Sequence, residues 1–490
     1  MKKNLLCLLL ILISIGFFSC KKEFIRVNTN PNNLEQADPS SLLSNVEVQL
    51  FYNNAFIAWT LGNGYSQYMT FSQDYYNTAT RYSPVTNEPY WDPLYESARD
   101  ANILYQTGQQ QNNPFLQAVA LTLRAYAFAQ LTECWGDIPF KQALQGASGS
   151  YTPAYDAQQT VYTDADMGIL PSLQRADSLL MKSVKGQISG DILYQNDPMK
   201  WRKLVNALRL RYLLRISGKA DVRSAIQALV TEGVWMSDAT ESASIDLPTS
   251  LPYNFPSLTE RSGDYQVKFM NSTLYTAFVQ TQDSFRIRAY FAPNALSTSQ
   301  TSFSFSNYGG MPLVVNATTD QINTASIFNS SNFRAIGNPK IIRARIMTYA
   351  EQQFDLAEAA LKNYIAGSAA NFYTQGVIGA FAEIGLPASN ANVYVQSPQV
   401  MLSNNPDTAM YQIILQKWLA NINNGFEGWI EYKRTGYPYF STGGSANLNQ
   451  GKIPNRFLYP VSEATINANN YKTELQKMGG NDNTNYRAWW

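Results

Sequence analysis

The sequence predicts a mostly α-helical protein built of helix pairs, with one loop-rich part set among them. Three observations carry this reading. Apolar residues recur at helical spacing over long stretches; Trp201, Leu204, Val205, Leu208, Tyr212 and Ile216 form the cleanest stripe. Prolines and glycines punctuate those stretches where helices start and stop, as Pro114 and Gly136 do. Between Trp235 and Phe333 the helical period disappears, and prolines, glycines and Ser/Thr/Asn runs replace it.

The chain opens with Lys2 and Lys3, then an apolar run of 14 residues from Leu5 to Phe18. A spanning helix needs about 20 residues, so the run fits the apolar region of an export signal. Ser19 is small, and Cys20 follows it. Ile15-Gly16-Phe17-Phe18-Ser19-Cys20 is similar to a bacterial lipoprotein box, whose cysteine is acylated and becomes the new N-terminus. Phe17 stands where that box usually has leucine. The alternative is an ordinary signal peptide with a chance cysteine. The expectation is removal of residues 1–19, lipid on Cys20, a polar tether over residues 20–39 and a single body over 40–490 held at a membrane surface. Asn28-Thr29-Asn30-Pro31-Asn32-Asn33 supplies turn formers without periodicity to the tether.

Lys plus Arg number 37 and Asp plus Glu 36. No basic excess points to nucleic acid, and no acidic excess to a solvating tail. The chain has no histidine, which removes the commonest general base and metal ligand and every Ser-His or Cys-His pair. Carboxylate chemistry stays open, and so does calcium held by carboxylates and carbonyls; no cofactor is implied. A lipidated Cys20 leaves Cys134 without an intrachain partner, and its apolar helical surroundings mark it for burial. The 31 Tyr, 24 Phe and 9 Trp cluster partly among amides and hydroxyls. Such surfaces stack on flat apolar faces while hydrogen-bonding hydroxyl groups.

Taken in order, Ser40–Met69 reads as a helix after Pro39. Phe71–Trp91 reads as a long aromatic loop broken by Pro84 and Pro89. Helix resumes over Pro93–Tyr105, and another runs from Pro114 to Trp135, carrying small residues Ala118, Ala125 and Ala129 on a second face. Ala157–Met181 is helical with an interruption near Pro171. Met199–Ile216 and Asp221–Glu232 form a helical hairpin. Trp235–Phe333 is mainly irregular, with a helix at Ser272–Gln280 and a short hairpin. Helices follow at Ile341–Lys362, Asn371–Glu383 and Ala409–Asn421, and a last one starts at Ser462. Recurring hairpins suggest tetratricopeptide-type stacking, although no fixed period repeats along the chain.

Several segments, in this order, resemble landmarks of the SusD/RagB family of outer-membrane nutrient-binding lipoproteins. They are Leu131-Thr132-Glu133-Cys134-Trp135-Gly136-Asp137-Ile138-Pro139, Trp201 to Arg211, and Met347-Thr348-Tyr349-Ala350-Glu351 with Leu356 to Ala360. Gln416-Lys417-Trp418, Gly425-Phe426-Glu427-Gly428-Trp429, Lys433 to Pro438 and Ile453-Pro454-Asn455-Arg456 with Tyr459-Pro460 complete the series. The resemblance implies tetratricopeptide-like helix pairs with an irregular ligand-bearing part. It also implies a SusC-like TonB-dependent transporter as partner, and a glycan or, in some branches, a peptide as ligand.

The candidate ligand surface is the early loop, whose Asp74, Tyr75, Tyr76, Arg81, Tyr82, Tyr90 and Trp91 have no helical period. Phe303, Phe305 and Tyr308 form a second candidate surface. Each ring is weighed against simple packing. Glu351 and Glu358, seven apart, lie about 10.5 Å apart along a helix. Retaining glycosidases need about 5–5.5 Å between carboxyls and inverting ones about 6.5–9.5 Å, so a structural role is the better reading and a surface glycoside hydrolase the weaker alternative. An oligosaccharide is the expected ligand, neutral because the near-zero net charge gives no steering toward a polyanion.

Overall fold

The computed structural model describes residues 38–186, 188–297, 302–335 and 337–490. The signal stretch, Cys20 and the tether up to residue 37 lie outside the described residues. Helix dominates, as the apolar periodicity requires. α1 (Pro39–Ile57) starts on Asp38, whose carboxylate accepts from the Ser41 amide at 3.0 Å. The helix widens into a π turn over Ala58–Gly62 and ends with Asn63–Tyr65. A Cβ on Gly62 would stand 2.0 Å from the Gly425 carbonyl oxygen, so this close approach of two backbones requires glycine. The expected helix to Met69 stops earlier: Gln67 takes a left-handed φ of 56°, and Met69–Phe71 is strand β1.

α2 (Glu88–Gln110) and α3 (Pro114–Trp135) are an antiparallel pair. The early aromatic stretch is therefore shorter as a loop than expected. Pro89 sits in the first turn of α2, where a missing N–H costs nothing, so Tyr90 and Trp91 belong to the helix. α3 is buried on nearly every face; Ala118, Ala125 and Ala129 let α2 and α4 (Ile169–Leu180) close on it. The stretch expected as one helix from Ala157 is two, Gln158–Thr163 and α4. The break falls before Ile169, and Pro171 lies within the first turn of α4. α5 (Pro198–Ile216) and α6 (Arg223–Glu232) follow as the predicted hairpin. Asp197 caps α5, accepting from the Met199 amide at 3.0 Å.

The part between α6 and residue 333 holds α7 (Ser272–Gln280), a helix over Ser284–Tyr290 and several shorter turns. Its strands do not pair with each other. β4 (Ala243–Ile245) pairs with β6 (Ala344–Met347), and β5 (Lys268–Met270) pairs with β1. Ile138–Pro139 (β2) pairs with Tyr155–Asp156 (β3). A lone two-stranded hairpin is marginal in water; these strands instead pair with strands anchored in the helical body. A second helical group follows: α8 (Tyr349–Leu361) with α9 (Ala369–Glu383), then α10 (Pro406–Ala420) and α11 (Glu427–Thr435), before two short helices over Val461–Ile466 and Ala468–Lys477.

Two devices join the groups. One is an aromatic knot: Tyr65 lies 5.2 Å from Trp429 and 5.1 Å from Phe457, and Phe457 lies 5.0 Å from Phe426. The other is a buried ion network. Arg211 on α5 grips Glu351 on α8 with two bonds of 2.7 and 2.6 Å. Arg215 meets Glu133 at 2.9 Å and also Glu427 and Glu431. Lys417 on α10 meets Asp355 at 2.6 Å, and Arg434 meets Glu358 at 2.6 Å. Pairing of this kind offsets much of the cost of burying these charges.

Candidate functional site

The sequence-predicted aromatics divide by burial. Tyr75 is 88% exposed, standing edge-on to Tyr76 at 5.0 Å. Tyr76 stacks on Phe71 and donates its hydroxyl to Asp264 at 2.5 Å. Arg261 and this phenol hold the Asp264 carboxyl below its usual range. Asp74 and Arg81 are brought together as an ion pair, and Arg81 also donates from Nε to the Ala446 carbonyl at 2.8 Å. On the second surface Phe303 is part-exposed, edge-on to Phe305 at 5.0 Å, with the Arg288 guanidinium 5.2 Å from its ring. Tyr275 on α7 supports it by donating to the Phe305 carbonyl at 3.1 Å.

Tyr82, Tyr90, Trp91 and Tyr308 depart from the expectation of an exposed platform, because each is buried. Tyr90 donates to Gln130 at 2.9 Å, and Trp91 packs 5.0 Å from Trp135 and 4.9 Å from Tyr95. Both face α3 from the first turns of α2, so their job is packing. Cys134 is buried, and burial pushes its thiol far up. Glu351 and Glu358 lie in the ion network, where Arg434 holds Glu358 far below the ordinary carboxylate range against the cost of its burial. Among the described residues no three Asp, Glu, Cys or His side chains gather as a metal cage.

An aromatic cleft that sequence reasoning missed lies between α7, α10 and the loop after α11, with a volume of about 420 Å³. Tyr411 on α10 stacks on Tyr439, with centroids 5.7 Å apart and planes at 21°. Tyr437 stands edge-on to both, at 5.5 and 5.4 Å. Tyr439 is 71% exposed, so the stacked pair presents a free ring face. Thr276 and Gln280, one turn apart on α7, form the opposite polar wall. Ser272, Thr273 and Ser441 continue it into a smaller recess of about 50 Å³ floored by Gln67 and Tyr82. Gln67 ties this floor: Nε2 donates to the Tyr82 hydroxyl at 2.8 Å, while Oε1 accepts from Thr273 Oγ1 at 2.6 Å and the Ser441 amide at 2.9 Å. Tyr82 thus supports the cleft from below. The available signal was Tyr437-Pro438-Tyr439-Phe440 between Gly436 and Gly443, rings held in a loop where no helical period demands them.

Comparisons with known proteins agree with this architecture. The family described as SusD-like, starch-binding and associating with the outer membrane, matches residues 31–460. A SusD homolog of Bacteroides fragilis is 27% identical, with a TM-score of 0.80 over 93% of this chain and 99% of that one. A second from the same organism is 22% identical, with a TM-score of 0.77 over 92% and 99%. A chitin-binding SusD homolog of Flavobacterium johnsoniae shares the fold at 21% identity, with a TM-score of 0.73 over 91% and 98%. None of the curated proteins matches the chain. The helix pairs, the landmark segments and the family match over residues 31–460 together place the chain in the SusD-like family.

Proposed function

We propose that the protein is a cell-surface lipoprotein of the outer membrane that binds an oligosaccharide and delivers it to a SusC-like TonB-dependent transporter, without turning it over. The observation that carries the reading is the Tyr411–Tyr439 stack beside Thr276 and Gln280, in a chain whose family is described as starch-binding. Sugars offer apolar ring faces and a rim of hydroxyls, and this cleft supplies a ring face and a polar wall. Asp74, Tyr75, Tyr76 and Phe303 are outer contacts for a longer chain of sugars. Cys20 carries the lipid at the start of a tether over residues 20–39. Among the described residues no helix is long and apolar enough to cross a membrane. Calorimetric titration with neutral oligosaccharides and with peptides tests the ligand class, and detergent pull-down of a large β-barrel protein tests the partner. Release of reducing ends during the titration would reverse the assignment as a binding protein.

A further inference from the structure

α2, α3 and the loop over residues 141–148 enclose a different cleft, about 710 Å³ in volume, which shares no lining residue with the tyrosine cleft. Arg124 lies at its floor and is 4% exposed. One Nη1 donates to Asn102 Oδ1 at 2.6 Å, and the guanidinium lies 5.3 Å from the Tyr105 ring centroid. Among the described residues no carboxylate forms an ion pair with it. Arg211, Arg215, Arg286 and Arg456, buried as deeply, each meet one, and Arg345 instead donates to the backbone carbonyls of Lys340 and Glu383. Burial pushes the Arg124 guanidinium down to about 10, and Arg175 adds to the effect against the pull of Tyr105. A buried charge without a counter-charge is costly, and an anion entering the cleft removes that cost.

The rest of the lining narrows the ligand. Ile103 is 43% exposed, and with Leu144 and Met167 it offers aliphatic surface. The one aromatic in the lining, Tyr95, is engaged: its hydroxyl donates to the Pro139 carbonyl at 2.7 Å and its ring packs on Trp91 and Phe128. No free ring face is left for a sugar. Arg99 and Lys141 stand on the rim, already paired with Asp100 and Asp164, and Glu96 is the acidic member of the lining. We propose that this cleft is a second binding site, taking an acidic side chain of a partner polypeptide, with the carboxylate on Arg124 and a flanking apolar residue against Ile103, Leu144 and Met167.

The test titrates the whole protein with the peptides Ac-Leu-Glu-Leu-Leu-amide and Ac-Leu-Gln-Leu-Leu-amide. The glutamate peptide should bind at least about tenfold more tightly, a preference that shrinks as salt is raised. Arg124→Leu should abolish the preference while leaving the unfolding midpoint unchanged or higher, since an unpaired buried charge has been removed. Ile103→Asp, at an exposed position, should leave folding unchanged and weaken the glutamate peptide by about tenfold or more through like-charge repulsion. Equal binding of the two peptides by the native protein, or an undiminished preference in both variants, overturns the proposal. Binding of an oligogalacturonate that depends on Arg124, with neither peptide bound, overturns the assignment to a polypeptide.

Discussion

Tyr439 and Trp91 are both large aromatics in proline-bearing stretches, and they should respond differently to truncation. Tyr439 is exposed and its ring is a partner in a stack rather than part of the core. Removing it should cost about 0.5–1.5 kcal/mol of ligand binding, a three- to tenfold loss in affinity at about 1.4 kcal/mol per tenfold, with the unfolding midpoint unchanged. Trp91 is 4% exposed against Trp135 and Tyr95. Trp91→Ala should cost about 3–5 kcal/mol of stability, the range for truncating a buried aromatic, measured by urea unfolding. The sequence pointed to Trp91 as a ligand contact because Pro84, Pro89 and Pro93 surround it and interrupt any stripe. A proline at a helix start looks the same in sequence as one in a loop; what separates them is α3, lying against Trp91 from a different part of the chain.

At the scale of elements, two buried contacts make predictions. Glu47 on α1 accepts from the Ile192 amide at 2.8 Å and faces Asp191, in the loop before α5. Burial, and then the Asp191 charge, raise the Glu47 carboxyl well above its ordinary value of 4.5. A carboxyl raised on folding contributes stability that is present below the unfolded value and is lost as pH rises through the folded one. Each tenfold difference in proton affinity is worth about 1.4 kcal/mol. The unfolding midpoint of Glu47→Gln should therefore match the native protein near about pH 4 and exceed it above about pH 8; a constant offset at every pH would refute the assignment. Across the body, Glu351→Ala should cost about 3–5 kcal/mol by stranding Arg211, and adding Arg211→Met should restore much of that loss. The helices themselves were legible, because α5 carries its stripe and caps in sequence: Asp197 at one end, Trp201 to Ile216 along the face. The π turn after α1 and the pairing of β1 with β5 were not, because each depends on distant partners, Gly425 in one case and Lys268–Met270 in the other.

For the whole molecule, the ordered series of landmarks was enough to place the fold, since those segments build the ion network and aromatic knot that join the two helical groups. The proposed ligand cleft was harder to find, because it forms where α7, α10 and the Tyr437–Ser441 loop meet. No one of these segments signals binding by itself. The proposed lipid on Cys20 belongs to this scale too. Mass spectrometry of membrane-extracted protein should find a chain starting at an acylated Cys20, and Cys20→Ala should leave the membrane fraction. The central claim is that a tyrosine platform holds a sugar that the protein does not cleave, and one calorimetric comparison tests it most directly. Native protein, Tyr439→Ala and Tyr411→Ala are titrated against neutral oligosaccharides, with free reducing ends assayed in the same samples. The account predicts binding by the native protein, a three- to tenfold loss in each variant at about 0.5–1.5 kcal/mol, and no new reducing ends. Full affinity in both variants, or hydrolysis of the bound sugar, would contradict it.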